Sequence, residues 1–95
     1  MATYLMLSTL GPDGAQTMRD NPERLKQVNA EVEAMGVRVL EQFALLGRYD
    51  FLNIIEAPDE LTMAKVAVML GARGTLKTLT IPAIPIDDFI AAVKE

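Results

Sequence analysis

The residues best suited to chemistry in this sequence are Tyr49 and Asp50, which are adjacent in the chain. A tyrosine hydroxyl beside a carboxylate can orient a polar ligand or relay a proton. The pair also has a structural interpretation, in which Asp50 fixes a hairpin backbone and Tyr49 packs with its hydroxyl in water. We treat them as candidate ligand-binding residues, together with Arg48 and Asn53, and assign no catalytic residue.

Asn53 and Glu56 are polar residues in a segment that is otherwise apolar. Because a buried polar group needs a partner, each is expected to face solvent, to bond across an oligomer or to line a cavity. Asp50 and Glu56 do not form a carboxylate pair within one chain, since six residues of strand separate them by roughly 20 Å.

Three basic residues, Arg48, Arg73 and Lys77, are further candidates because each could hold an anionic ligand. Arg73 and Lys77 lie on either side of the start of a predicted strand, and Arg48 lies in a predicted hairpin. Charged residues in such places more commonly protect the edge of a sheet. We therefore favour the structural interpretation for all three.

Cysteine and histidine are both absent from the chain. This excludes disulfides, thiolate or imidazole metal sites, and mechanisms that use a Ser-His or Cys-His pair. A carboxylate-only Mg²⁺ or Ca²⁺ site is formally possible, but the aspartates do not have EF-hand spacing. The sequence predicts no metal and no cofactor.

The charge balance argues against nucleic acid as a partner. Nine Lys and Arg stand against thirteen Asp and Glu, and the basic residues form no run. Binding to phosphates needs a positive surface, which this composition does not supply. The N-terminus lacks the basic region of a signal peptide and no window is long enough to span a bilayer, so we expect a cytoplasmic protein that binds no membrane.

Hydrophobic content points to self-association. Of the 95 residues, 51% are hydrophobic, which is a large share for a single small domain with a modest core. Apolar surface that a small monomer cannot bury usually marks an interface. The protein itself is therefore the first predicted partner.

The pattern of apolar residues predicts four strands and four helices. Tyr4–Leu10 is an apolar run closed by the turn signal Gly11-Pro12-Asp13-Gly14. The remaining predicted elements, in chain order, are a short helix 15–20, a helix capped by Asn21 and ended by Gly36, strands 37–46 and 49–57, a helix 60–70 capped by Asp59, a strand 75–81 ended by Pro82, and a helix 87–94. Gly47-Arg48 suits a two-residue type II′ hairpin loop between the second and third strands.

This order is β-α-β-β-α-β followed by a terminal helix, which is typical of an α+β, ferredoxin-like fold with an antiparallel four-stranded sheet. The first and third strands are central in that fold, and both carry apolar residues at both parities. In the third strand, Phe51 and Ile55 face one side and Leu52 and Ile54 the other. The helices cover only one face, so the other needs a second copy of the chain.

The segment Leu46-Gly47-Arg48-Tyr49-Asp50-Phe51 resembles the Gly-Tyr-Asp signature of the GYD-domain family, small proteins of bacteria and archaea. Arg48 stands between the glycine and the tyrosine, which moves the glycine one position earlier and leaves the Tyr-Asp pair intact. The likeness extends along the chain through 4–10, Asn21-Pro22-Glu23-Arg24, 71–75 and 81–85. It implies a dimeric α/β-barrel assembly, in which two ferredoxin-like sheets face each other, but no particular activity.

Three functions are compatible with these observations. The first is a homo-oligomeric small-molecule-binding or sensor-like module, with the ligand between the sheet and its partner. The second is a cofactor-independent enzyme, an isomerase or monooxygenase, which predicts a closed cavity lined by Tyr49, Asp50 or Asn53. The third is a purely structural assembly subunit.

Overall fold

The computed structural model describes residues 1–11, 13–74 and 76–95. Pro12 of the predicted turn and Thr75, the predicted first residue of the last strand, lie outside these ranges. The described elements are β1 (Ala2–Leu10), α1 (Gly14–Asp20), α2 (Arg24–Glu33), β2 (Arg38–Ala44), β3 (Phe51–Ala57), α3 (Glu60–Ala72), β4 (Leu76–Ala83) and α4 (Ile86–Val93).

The four strands form one antiparallel sheet in the order β2-β3-β1-β4. Tyr4 is paired with Ile55 on one side and with Pro82 on the other, which fixes the register of the central strand. The α+β, ferredoxin-like prediction is confirmed, as is the central position of the first and third strands.

Alternation along the strands divides the sheet into two unlike faces. On the first face, Tyr4 and Met6 of β1 and Ile55 of β3 are buried together with side chains from α2 and α3. Val32 of α2 and Val66 of α3 also belong to this core. We call this side of the sheet the helix-covered face.

The other side of the sheet, which we call the open face, is also apolar. The register aligns two rows across it, Phe43-Leu52-Leu7-Leu79 and Ile54-Leu5-Ile81. Phe43, Leu79 and Ile81 are exposed in the single chain, and Leu79 is 45% accessible. The predicted apolar second face is therefore present, and no described element of the same chain buries it.

The C-terminal helix α4 adds a second exposed apolar stripe. Ile86, Phe89, Ile90 and Val93 recur at the spacing of one helix face, yet all four are exposed and the helix has no buried residue. The radius of gyration is 14.4 Å, against about 12.4 Å for a compact domain of this length. The chain thus presents an extended shape with much of its apolar surface in solvent.

Two local predictions are wrong. Six residues separate β2 from β3, and the Leu45 amide donates to the Asp50 carbonyl at 2.7 Å, so the turn itself has four residues, Leu46 to Tyr49, instead of the two predicted. Asn21 does not cap α2 with its side chain. Its carbonyl instead accepts a hydrogen bond from the Arg24 amide, so the chain turns once before the helix begins at Arg24.

The end of β4 also differs from the prediction. Pro82 lies within the strand, which continues to Ala83. Because β4 is an edge strand, one side of it needs no hydrogen-bond donor, and a proline is tolerated there.

Helix α3 begins where the sequence predicts. The Asp59 carboxylate accepts a hydrogen bond from the Thr62 amide at 2.7 Å, which satisfies one free N–H of the first turn. This bond, with a smaller contribution from the Thr62 hydroxyl and the Lys65 charge, lowers the pKa of Asp59 below its usual value of 3.8.

The Asp59 cap predicts a pH dependence of stability. A carboxyl whose pKa is lowered by folding stabilises the protein fully above its unfolded pKa and loses that contribution as the pH falls through the folded pKa. Asp59→Asn keeps a capping oxygen without a charge. We expect its thermal midpoint to fall less steeply than that of the wild type below pH 3.8, whereas Asp59→Ala lowers the midpoint at neutral pH as well. Equal slopes for wild type and Asp59→Asn would contradict this assignment.

Candidate functional site

Three of the four candidate ligand residues lie together at the β2–β3 loop. The guanidinium carbon of Arg48 is 5.8 Å from the centre of the Tyr49 ring, within range of a cation–π interaction. The Asp50 carboxylate oxygen Oδ2 accepts a hydrogen bond from the Leu10 amide at 2.8 Å. Asp50 also donates its own amide to the Ser8 carbonyl at 2.8 Å. The motif therefore fastens the loop to the end of β1, which is the structural interpretation given above.

Replacing Asp50 with alanine is expected to lower the free energy of unfolding by about 1–2 kcal/mol, since the half-buried Leu10 amide loses its partner. Asp50→Asn keeps an acceptor oxygen and should lose less. Urea unfolding of both variants measures the difference. Wild-type stability in Asp50→Ala would leave ligand binding as the better explanation of the pair.

Asn53, the fourth candidate, lies apart from this loop, on the helix-covered face. It lines a cavity of about 80 Å³ between the sheet and helices α1, α2 and α3. Its neighbours there are mostly apolar, and include Met6, Val32 and Leu70. Tyr49 and Asp50 are not among the residues around this cavity. The structure thus divides the predicted site into a loop motif and a separate interior position.

Polar side chains cluster on one wall of this cavity. The side-chain amides of Asn29 and Gln42 are bonded to each other twice, at 2.9 and 3.3 Å, and join α2 to β2. Gln42 is paired with Asn53 across the strands. Among the described residues, the Asn53 Oδ1 atom and the hydroxyl of Ser8 are buried without a hydrogen-bond partner.

The edge of the cavity carries charge. Arg24 and Arg73 both line it, and both bond the carboxylate of Glu31, Arg24 at 3.2 Å. The bond from Arg73 is the main reason that the pKa of Glu31 lies below its usual value of 4.5, and Arg24 lowers it further. Arg73, considered above as an anion-binding residue, thus has a carboxylate of the same chain as its partner.

The other candidates lie on the open face. Lys77 is exposed beside Thr9, and Glu56 lies opposite Arg38, with 3.6 Å between Nη1 and Oε1. These side chains border the apolar rows and do not approach the cavity. Glu56 therefore lies at the surface of the chain and does not line the cavity, which was one of the three arrangements considered for it.

Sequence reasoning missed Ser8, Asn29 and Gln42. Ser8 carried a usable signal, because it occupies an interior-facing position in an apolar strand, between Met6 and Leu10 on the same face. Asn29 and Gln42 carried none, since their pairing depends on how α2 is seated on β2. Only tertiary packing brings those two amides together.

Helix α3 presents a further apolar surface on its solvent-exposed side. Leu61, Ala64, Val68 and Ala72 are exposed at spacings of three and four, and Val68 is 71% accessible. The opposite side of the same helix is buried through Met63, Val66 and Leu70. A helix that is apolar all round is normally enclosed. We refer to the exposed stripe as the outer face of α3.

Among residues 1–11, 13–74 and 76–95, no helix has the length and apolar character needed to cross a bilayer. In the same ranges, no three acidic side chains are grouped closely enough to share a metal ion.

The sheet order and its helix-covered face define a ferredoxin-like domain, and the loop motif indicates which kind. Residues 4–93 match the GYD domain model, so the chain belongs to that family. A relative from Thermus thermophilus, named "Glutamine synthetase and cystathionine beta-lyase binding protein", is 52% identical over 99% of this chain and 100% of its own length. The crystal structure of FFRP-DM1 has the same fold, with a TM-score of 0.62, 21% identity, and coverage of 88% of this chain and 100% of that one.

Proposed function

We propose that this protein is a homo-oligomeric binding protein that associates with metabolic enzymes, glutamine synthetase and cystathionine β-lyase being the first candidates. The observation that carries the proposal is the 52% identity, over essentially the full length of both chains, to a relative named for binding those two enzymes. A cytoplasmic location forms part of the proposal.

The first support is an apolar open face suited to a second copy of the chain. The accessible surface is 6397 Å², about 1,000 Å² more than the roughly 5,400 Å² typical of a folded monomer of this mass. A standard interface buries about 800 Å² per partner. The surplus is therefore of the size that one such interface removes from solvent.

The border of the open face favours a copy of the same chain over a different partner. Arg38 and Lys77 supply positive charge and Glu41 and Glu56 negative charge around the apolar rows. A two-fold interface places the same patch on both subunits, so a border that carries both signs can complement itself. An apolar centre with a polar border is also the usual anatomy of an interface.

A second surface is then needed for the enzyme. The outer face of α3 meets this requirement, because it lies on the far side of the helix layer and stays accessible when the open face is covered. Leu61, Ala64 and Val68 have the i, i+3, i+7 spacing with which an apolar helix fits a groove on another protein. We assign enzyme binding to this surface.

The alternative of a cofactor-independent enzyme has weaker support. Asn53 lines a cavity, but that cavity is partly open to solvent, whereas the hypothesis requires a closed one, and no Asp, Glu, Tyr or Lys is among its described lining residues. The two arginines at its edge are bonded to Glu31. General acid–base chemistry needs a group that exchanges protons near neutral pH, and binding is the better account of this interior.

The test is a titration of the purified protein against purified glutamine synthetase and, separately, cystathionine β-lyase from the same organism. We expect a saturable complex with at least one enzyme, with a dissociation constant near or below about 1 μM, equivalent to about −8 kcal/mol. An unrelated acidic enzyme serves as the control. Failure of both enzymes to bind at tens of micromolar would overturn the proposal and leave the structural assembly subunit.

A further inference from the structure

The cavity beneath the helices contains polar atoms that the fold itself does not use. Ser8 is only 1% accessible, and its hydroxyl has no partner among the described residues. The Asn53 Oδ1 atom is buried and unpartnered in the same sense. Both residues line the cavity.

These two groups are close neighbours on the helix-covered face. Asn53 is paired with Met6, and Ser8 with Phe51, so Ser8 and Asn53 are diagonal positions of the β1–β3 ladder. Diagonal side chains of an antiparallel pair lie about 7 Å apart or less. One small molecule between them can therefore contact both.

A purely structural explanation of the two groups is weak. A buried polar group without a partner destabilises a fold, whereas an apolar residue of the same shape is neutral or stabilising. Asn29 and Gln42, which lie on the same wall, satisfy the hydrogen-bonding groups of their side-chain amides by bonding each other. Ser8 and Asn53 have no such arrangement, and both face the same cavity, so a molecule that is not part of the chain can bond both of them there.

We propose that this cavity binds a small uncharged molecule with a primary amide or hydroxyl group on a short aliphatic chain. Asn53 Oδ1 accepts a hydrogen bond from the ligand, and the Ser8 hydroxyl donates one to it. A carboxamide supplies both a donor and an acceptor, and it fits equally well if the Asn53 amide is turned over. This site is independent of enzyme binding.

The surroundings select against a charged ligand. The described interior walls are apolar or neutral, and the cations at the edge, Arg24 and Arg73, already bond Glu31. A charged group of a ligand inside the cavity would lose its hydration and would find no group of opposite charge there. The aliphatic part of the ligand contacts Met6, Val32 and Leu70 instead.

The volume restricts the ligand to a few atoms. A cavity of about 150 Å³ holds benzene, so the space of about 80 Å³ here suits a molecule with roughly half as many enclosed atoms, or the end of a longer chain. Acetamide, with four non-hydrogen atoms, is close to this size, and propionamide, with five, leaves part of its chain at the opening of the cavity. The larger aliphatic amides should bind only if α2 moves.

Propionamide is the probe, and 2-butanone, which replaces its amide nitrogen by a methyl group, is the matched control. We expect propionamide in the millimolar range to shift the amide NMR signals of residues around the cavity in α2, β2 and β3. The ketone should shift them at least tenfold more weakly at equal concentration. Equal responses to both molecules, or no response to either, would overturn the proposal.

Two variants complete the test. Asn53→Leu should abolish the response to propionamide and raise the melting temperature of the unliganded protein, since it removes an unpaired buried group. Ser8→Ala should weaken the response to propionamide. It is a smaller change than Asn53→Leu and provides the test if Asn53→Leu does not fold. A water-bound structural role predicts the opposite sign: both variants would lower the melting temperature, and that result would also overturn the proposal.

Discussion

Leu79→Lys is expected to convert the proposed homo-oligomer into monomers of 10.4 kDa. Leu79 lies on the open face beside Leu7 and is 45% accessible in the single chain, so lysine is tolerated there without a partner. In a two-fold interface both copies would bring a buried, unpaired ammonium group to the contact, and this carries a large desolvation penalty. We expect the dissociation constant of the assembly to rise at least 100-fold, equivalent to about 3 kcal/mol.

Thermal unfolding of the variant and its oligomeric mass are measured together, so that loss of assembly is distinguished from loss of the fold. Lys77→Leu is a useful counterpart, because Lys77 lies two residues away at the border of the same face. It should leave the assembly intact or strengthen it. If Leu79→Lys remains as fully assembled as the wild type, the open face is not the self-association surface.

Val68→Lys is expected to weaken enzyme binding at least tenfold, about 1.4 kcal/mol or more, while the oligomeric mass is unchanged. Val68 is 71% accessible in the middle of the outer face of α3. Lysine has a higher helix propensity than valine, so the helix itself should not suffer. The loss would come from placing a charge in an apolar helix-in-groove contact.

Titration of the enzyme with wild type, Val68→Lys and Leu79→Lys gives a crossed design. Val68→Lys should lose enzyme binding and keep assembly, whereas Leu79→Lys should lose assembly. Val68→Ala, which trims the side chain without adding charge, should lie between wild type and Val68→Lys. Loss of assembly in Val68→Lys would mean that the outer face of α3 contacts another copy of the chain instead.

Much of the fold was predictable because the strands alternate in a regular way. Phe51 and Ile55 point to one face and Leu52 and Ile54 to the other, and the burial of the two pairs follows that parity. The start of α3 was predictable because Asp59 caps it through a purely local hydrogen bond.

Local chemistry was misleading where a longer-range contact decides the geometry. Gly47-Arg48 looks like a two-residue hairpin loop, but the turn is closed by the Leu45–Asp50 hydrogen bond and has four residues, and the Asp50 carboxylate also bonds the amide of Leu10 in β1. Asn21 has the chemistry of a helix cap, yet it ends α1, and α2 begins three residues later. In both places, contacts with a neighbouring element decide the backbone conformation, and the local preference of the residues does not.

The candidate site was predictable only in part. Asn53 was chosen for being polar in an apolar strand, and it does line a cavity. That cavity lies under the helices rather than between two sheets, and its other polar residues come from β1, β2, α1, α2 and the end of α3. No periodicity within one segment indicates that Asn29 meets Gln42, because the contact depends on the packing of a helix against a strand.

Sedimentation equilibrium of the wild-type protein alone tests most directly whether a second copy covers the open face, which is the basis of the proposed homo-oligomer. At about 10 μM, a concentration at which a stable dimer of standard interface size stays assembled, we expect a mass of at least twice 10.4 kDa. A mass of 10.4 kDa that persists as the concentration is raised would contradict it.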